Sequence, residues 1–216
     1  MRYPDHPFIL CMQRLRVAAL LCIVWPFPFA AAECRINPDI LGAFYRIEKQ
    51  VSPDAAQQSE TLKLWRLHNE VAHERPERKS ADIWARLSDN RIEHSHYNDS
   101  QSWRDTSAAR TDILWSAKYQ LLPPQALAKM ELIEKSGEDC KRVEKYRLDL
   151  DSGRLTVWWN PALQLVLLLD RQGEDVATTM KLTAIETRGP EVAKAFNRRR
   201  GYSARIASPP AATRRN

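Results

Sequence analysis

The chain has 216 residues, with 33 Lys and Arg against 27 Asp and Glu for a formal charge of +6, and 44% of its residues are apolar. That length suits one domain with a sizeable core. The basic excess is confined to the end: Arg198, Arg199, Arg200, Arg205, Arg214 and Arg215 lie in a final stretch without an acid, so a uniformly basic nucleic-acid-binding body is excluded.

The chain opens on a leader. Arg14 and Arg16 precede an apolar run from Val17 to Val24, and Ala30, Ala31 and Ala32 form a small-residue site before Glu33. This is the layout of a cleaved secretory signal peptide over residues 1–32, with Met12 as an alternative start. The run is too short for a membrane span and is broken by Pro26 and Pro28. Removal of the leader takes Cys11 and Cys22 with it and leaves Cys34 and Cys140. Two cysteines in an oxidising compartment are more often a bridge than a reactive pair, the other reading being two separate thiols. A periplasmic location is expected, with a single domain over 33–202 and a disordered basic tail over 203–216.

Asn37, Pro38 and Asp39 read as the cap and acidic first turn of a helix, after which Ile40, Phe44, Ile47 and Val51 recur at helical spacing. From Thr61 the period changes to two. Leu62, Leu64 and Arg66 alternate with Lys63, Trp65 and Leu67; further alternating runs cover Ile83 to Leu87 and Ile92 to Tyr97, separated by turn-rich segments such as Glu74 to Arg78 and Ser88 to Asn90. A short helix is expected over Pro123 to Met130. Strands then resume at Val143 to Leu150, Leu155 to Trp159, Leu163 to Leu169 and Ala177 to Glu186, with turns at Asp151-Ser152-Gly153 and Asn160-Pro161. The apolar second half of Leu163 to Leu169 calls for cover on both faces. The fold expected is α+β: a highly curved antiparallel sheet, an incomplete barrel, with one or two helices forming a lid over its concave face.

The run Val157-Trp158-Trp159-Asn160-Pro161-Ala162-Leu163-Gln164-Leu165-Val166, then Leu182 to Ile185, Phe196 and Gly201-Tyr202, resembles the closing section of the periplasmic lipoprotein-carrier (LolA/LolB-like) superfamily. What the resemblance implies is a curved sheet closed by a helical lid over a hydrophobic hollow that takes acyl chains.

A hydrophobic hollow is expected to be lined by Ile40, Phe44, Ile47, Trp159, Leu163, Leu165 and Leu167. His94 and His96 share one face of a strand, a geometry by which two imidazoles can hold a metal ion, and His68 and His73 could join them. The six tryptophans after the leader suit a core or an apolar wall. No Gly-x-Ser-x-Gly elbow, His-Glu-x-x-His or Gly-rich phosphate loop is present, so neither a catalytic residue nor a cofactor is expected. The function expected is that of a non-enzymatic, monomeric, exported protein binding a lipid, an acyl chain or an apolar segment of an envelope protein. Its basic tail could touch an anionic membrane. Two alternatives stand: a histidine-based metal-binding or redox-accessory protein, and a structural module whose core is filled by its own side chains.

Overall fold

A computed structural model describes residues 34–52, 55–174 and 176–205. The predicted signal peptide and residues 206–216 of the predicted tail lie outside the described residues. Eleven strands fall in chain order as β1 (Ile40–Gln50), β2 (Gln58–Leu67), β3 (Glu70–Arg75), β4 (Ser80–Arg86), β5 (Ile92–Asn98), β6 (Trp103–Arg110), β7 (Glu131–Ser136), β8 (Val143–Leu150), β9 (Gly153–Asn160), β10 (Leu165–Gly173) and β11 (Ala177–Glu186), and a short β12 (Ser203–Ala204) follows. The helices are α1 (Trp115–Gln120), α2 (Pro124–Leu127) and α3 (Gly189–Asn197).

All twelve strands join one sheet in the order β12-β6-β5-β4-β3-β2-β1-β11-β10-β9-β8-β7. It is an open sheet with β12 and β7 at its edges, antiparallel throughout except where β12 runs parallel to β6. The expected α+β fold with a highly curved, barrel-like sheet is thereby corrected to a mostly-β fold with few short helices, whose sheet is neither closed nor strongly curled. Two meanders, β1 to β6 and β7 to β11, lie side by side and are joined by the β1–β11 pairing. Since β6 and β7 occupy opposite ends of the sheet, the segment between them, residues 111–130, must traverse it, and it carries α1 and α2.

The largest correction falls on Ile40 to Val51. This stretch is the central strand β1, not a helix. Leu41, Ala43, Tyr45 and Ile47 point to one face and Ile40 and Phe44 to the other, and each face is covered by its own apolar cluster. A strand apolar on both sides lacks the two-residue alternation that would reveal it, and its spacings mimic a helix. Asn37 forms a turn here instead of a cap: its Oδ1 accepts from the Asp39 backbone N–H at 2.9 Å. Gly42 makes the strand workable, because a Cβ there would lie 2.5 Å from the Trp65 ring.

On the first face, Leu41, Ala43 and Tyr45 pack with Leu62, Leu64, Val157, Trp159, Leu163, Leu165 and Val166, beneath Tyr119 and Leu122 of the traversing segment. On the second, Trp65, Ala72, Ala81, Ile83 and Tyr97 receive Val192, Ala195 and Phe196 of α3. The expected turn residues behave as expected. Gly153 holds φ +140°, and Asn160 fastens its turn by accepting from Leu163 N–H and donating to the Cys140 carbonyl. Cys34 and Cys140 are disulfide-bonded, with Cα atoms 5.0 Å apart, tying the start of the described chain to the β7–β8 connection.

Candidate functional site

The face beneath α1 and α2 is built around Arg66. Alternation along β2 puts it on the same side as Leu62 and Leu64, and it is fully buried. Its guanidinium meets carbonyls, not a carboxylate. Nε donates to Tyr119 O at 2.8 Å, Nη1 to Leu163 O at 2.8 Å and to Pro38 O at 3.3 Å, and Nη2 to Gln164 O at 2.6 Å. The same group lies over the Tyr119 ring, 3.9 Å from its centroid. Burial pushes the Arg66 pKa down, and the nearby Tyr119, Tyr45 and Asp39 push it up. One cation thus ties three separate segments together: the turn before β1, the last turn of α1, and the β9–β10 connection, where Gln164 takes a left-handed φ of 52°.

Two further groups hold α1. His73, opposite Leu64 across the β2–β3 pair, sits 2.7 Å by its Nε2 from the Lys118 carbonyl. A carbonyl can only accept, so the neutral ring donates from Nε2. Burial depresses the His73 pKa to about 4, which keeps the ring neutral. Tyr119 Oη donates toward Pro38 O and Asp39 Oδ1, at 2.8 and 2.6 Å. The last carbonyls of a helix have no partner within it. Here Lys118 and Tyr119 find theirs on β3 and β2. The rest of the segment is held less deeply: Trp115, Leu121, Ala126, Leu127 and Met130 pack on the cluster while remaining partly exposed.

Of the residues predicted to line a hollow, Trp159, Leu163 and Leu165 are buried in the first-face cluster and Ile47 packs against it. Ile40 and Phe44 do not join them. They pack against α3 on the opposite face, because in a strand residues four apart share a face and residues three apart do not. Leu167 stands at an irregularity of the β9–β10 register, between Val166 and Leu168, outside both clusters. A cleft of about 620 Å³ beside α3 is walled by Trp65, Glu191, Lys194 and Arg198, and none of the seven predicted lining residues contributes to it.

His94 and His96 do share a face, but both address one carboxylate. His94 Nε2 and His96 Nδ1 each lie 3.0 Å from Asp82 Oδ1. Burial raises the Asp82 pKa, yet the two imidazole hydrogen bonds prevail and hold it down at about 2. His94 stacks on Trp84, whose other neighbours are His73 and Lys118. Among the described residues, no group of three or more His, Cys, Asp and Glu side chains is disposed to hold a metal ion.

The second face carries a separate network around Arg199, also fully buried. Its Nε and Nη2 grip both oxygens of Asp99, and Nη1 donates to Ala195 O. Tyr202 Oη donates to the same Asp99, and Arg198 pairs with Glu74, which accepts from Trp65 Nε1. This network fixes α3 and the Gly-Tyr close to the sheet.

No protein-family model and no curated protein sequence matches the chain. Among solved structures, the chain is similar to PNGF-II, at 12% identity and a TM-score of 0.39 over 77% of this chain, and it spans 31% of that protein's length. It is also similar to a LolA superfamily protein from Nitrosomonas europaea, at 10% identity and a TM-score of 0.32 over 71% of this chain and 88% of that one. A third similar structure is an outer membrane lipoprotein-sorting protein domain from Vibrio parahaemolyticus, at 6% identity and a TM-score of 0.31 over 74% and 92%.

Proposed function

We propose that the chain is a binding protein, not an enzyme, and that it takes an apolar ligand between the first sheet face and the traversing segment 111–130. The observation that carries this reading is the way the segment is held. An apolar cover is fastened by hydrogen bonds from Arg66 and His73 to the adjacent carbonyls of Tyr119 and Lys118, while Trp115, Leu121, Ala126, Leu127 and Met130 on it stay partly exposed. Releasing those ties uncovers a surface formed by Tyr45, Trp159, Leu163 and Leu165. A lipid, an acyl chain or an apolar segment of an envelope protein would recover the loss by burying its own surface there, at about 25 cal/mol per Å².

Export through a cleaved leader to the periplasm belongs to this proposal, as does contact of the basic tail with an anionic membrane. The Cys34–Cys140 disulfide supports an oxidising compartment. The histidine-based alternative has less support, since both imidazoles are engaged with Asp82.

The test is a titration of the purified chain with a fatty acyl probe, read by tryptophan fluorescence. Trp159 lies in the cluster and Trp115 packs on it, so a saturable change is expected. A signal that rises without saturation would overturn the reading in favour of a permanently filled core.

A further inference from the structure

On the first face, Tyr45 carries a polar group that nothing in the fold explains. Tyr45 is fully buried among Leu62, Leu64, Val157 and Leu182, and its hydroxyl has no hydrogen-bond partner among the described residues. Its neighbours differ in this respect, since the Tyr119 hydroxyl has two acceptor oxygens within reach and every nitrogen of Arg66 finds a carbonyl. A buried hydroxyl without a partner is destabilising, and phenylalanine would fill the same space without that penalty.

Tyr45 also stands at a break in the ladder. The β1–β11 register shifts between Phe44 and Tyr45, so that Phe44 faces Ala184 and Tyr45 faces Leu182 with Thr183 left over. Thr183 Oγ1 anchors the irregularity by donating to the Phe44 carbonyl at 2.9 Å. Bulges of this kind re-aim a side chain and concentrate beside functional sites. The hydroxyl is near enough to Arg66 for that positive charge to act on it. Electrostatics there favour an electron-rich oxygen as the missing partner.

From these observations we infer that Tyr45 is the polar recognition point of the apolar site, donating its hydroxyl hydrogen to a carbonyl or carboxylate oxygen at the head of a bound acyl chain. The inference rests on the binding role proposed above and narrows its ligand to an acyl compound. A plain hydrocarbon would leave the hydroxyl as unsatisfied as it is without a guest.

The experiment compares the parent chain, disulfide intact, with its Tyr45→Phe variant, using three probes of one shape. Diphenylhexatriene supplies the hydrocarbon alone, diphenylhexatriene propionic acid adds a carboxylate, and the methyl ester of that acid adds an uncharged carbonyl. The variant is expected to bind the acid and the ester about fivefold more weakly than the parent does, with hydrocarbon binding unchanged. Its denaturation midpoint should be equal to or above the parent's. Selective weakening of the acid alone identifies a free carboxylate as the source, and weakening that includes the ester identifies the carbonyl; either supports the assignment. Affinities that stay the same for all three probes, or fall alike for all three, would overturn it. A lower midpoint would do the same, since it would mean that the hydroxyl has a partner without a ligand. If the parent binds the hydrocarbon but neither acyl probe, the Tyr45 assignment fails and the binding role survives. If it binds none of them, both fail.

Discussion

At the scale of single residues, the site depends on polar groups placed where apolar ones were expected. The alternation of Leu62, Leu64 and Arg66 was legible in the sequence, and it already set Arg66 on the apolar side of β2. Its role was not legible, because its four acceptors come from positions 38, 119, 163 and 164, far away along the chain. Arg66→Met should orphan those carbonyls and lower stability by about 3 kcal/mol. Amide exchange of residues 115–130 should accelerate ahead of the rest of the molecule, and an effect spread evenly over the strands would argue against a local latch. His73 gives a pH signature. Its folded pKa of about 4 lies below the usual 6.5, so the unfolded chain binds the proton first. The stability this supplies is complete above about pH 6.5 and is lost as pH falls toward 4, up to about 3 kcal/mol. Urea midpoints measured between pH 7 and 4 should fall in the parent and flatten over that window in His73→Gln, which keeps a donor but does not titrate there.

At the scale of elements, β1 shows where sequence periodicity misleads. Ile40, Phe44 and Ile47 fit a helical stripe and also fit a strand buried on both sides, and only the neighbours β2 and β11 decide between them. Gly42 was the overlooked signal. A glycine within an apolar run marks a close approach, here by the Trp65 ring. Gly42→Ala should therefore cost about 2 kcal/mol in thermal or chemical denaturation, whereas a helix would have gained from the same change. Helix α3 was missed because its buried residues are only Val192, Ala195 and Phe196, too few to establish a period. The edge strand β7 is exposed along its length and carries Glu131, Glu134 and Lys135, charges that discourage pairing with another chain.

At the scale of the whole molecule, the disulfide closes a separation of 106 residues. It restrains the unfolded chain more than any single contact does. Replacing both cysteines with serine should lower stability by about 2–4 kcal/mol, with the chain-entropy value of about 4.7 kcal/mol as the ceiling, measured as the shift between the reduced-type variant and the parent in guanidinium. The sequence by itself determined the strands from β8 to β11 and their turns, since alternation, β-branched residues and turn formers act over a few neighbours. It also named Trp159, Leu163 and Leu165 among the residues expected to line a hydrophobic hollow, and the structure brings these three into one buried cluster. Tertiary structure alone decided that β1 is a strand, that the segment between β6 and β7 crosses one sheet face, and that Arg66 and His73 bond its carbonyls while Arg66 acts on Tyr45. These outcomes depend on pairing between residues distant in the chain, and local spacing carries no record of which strand will lie beside which.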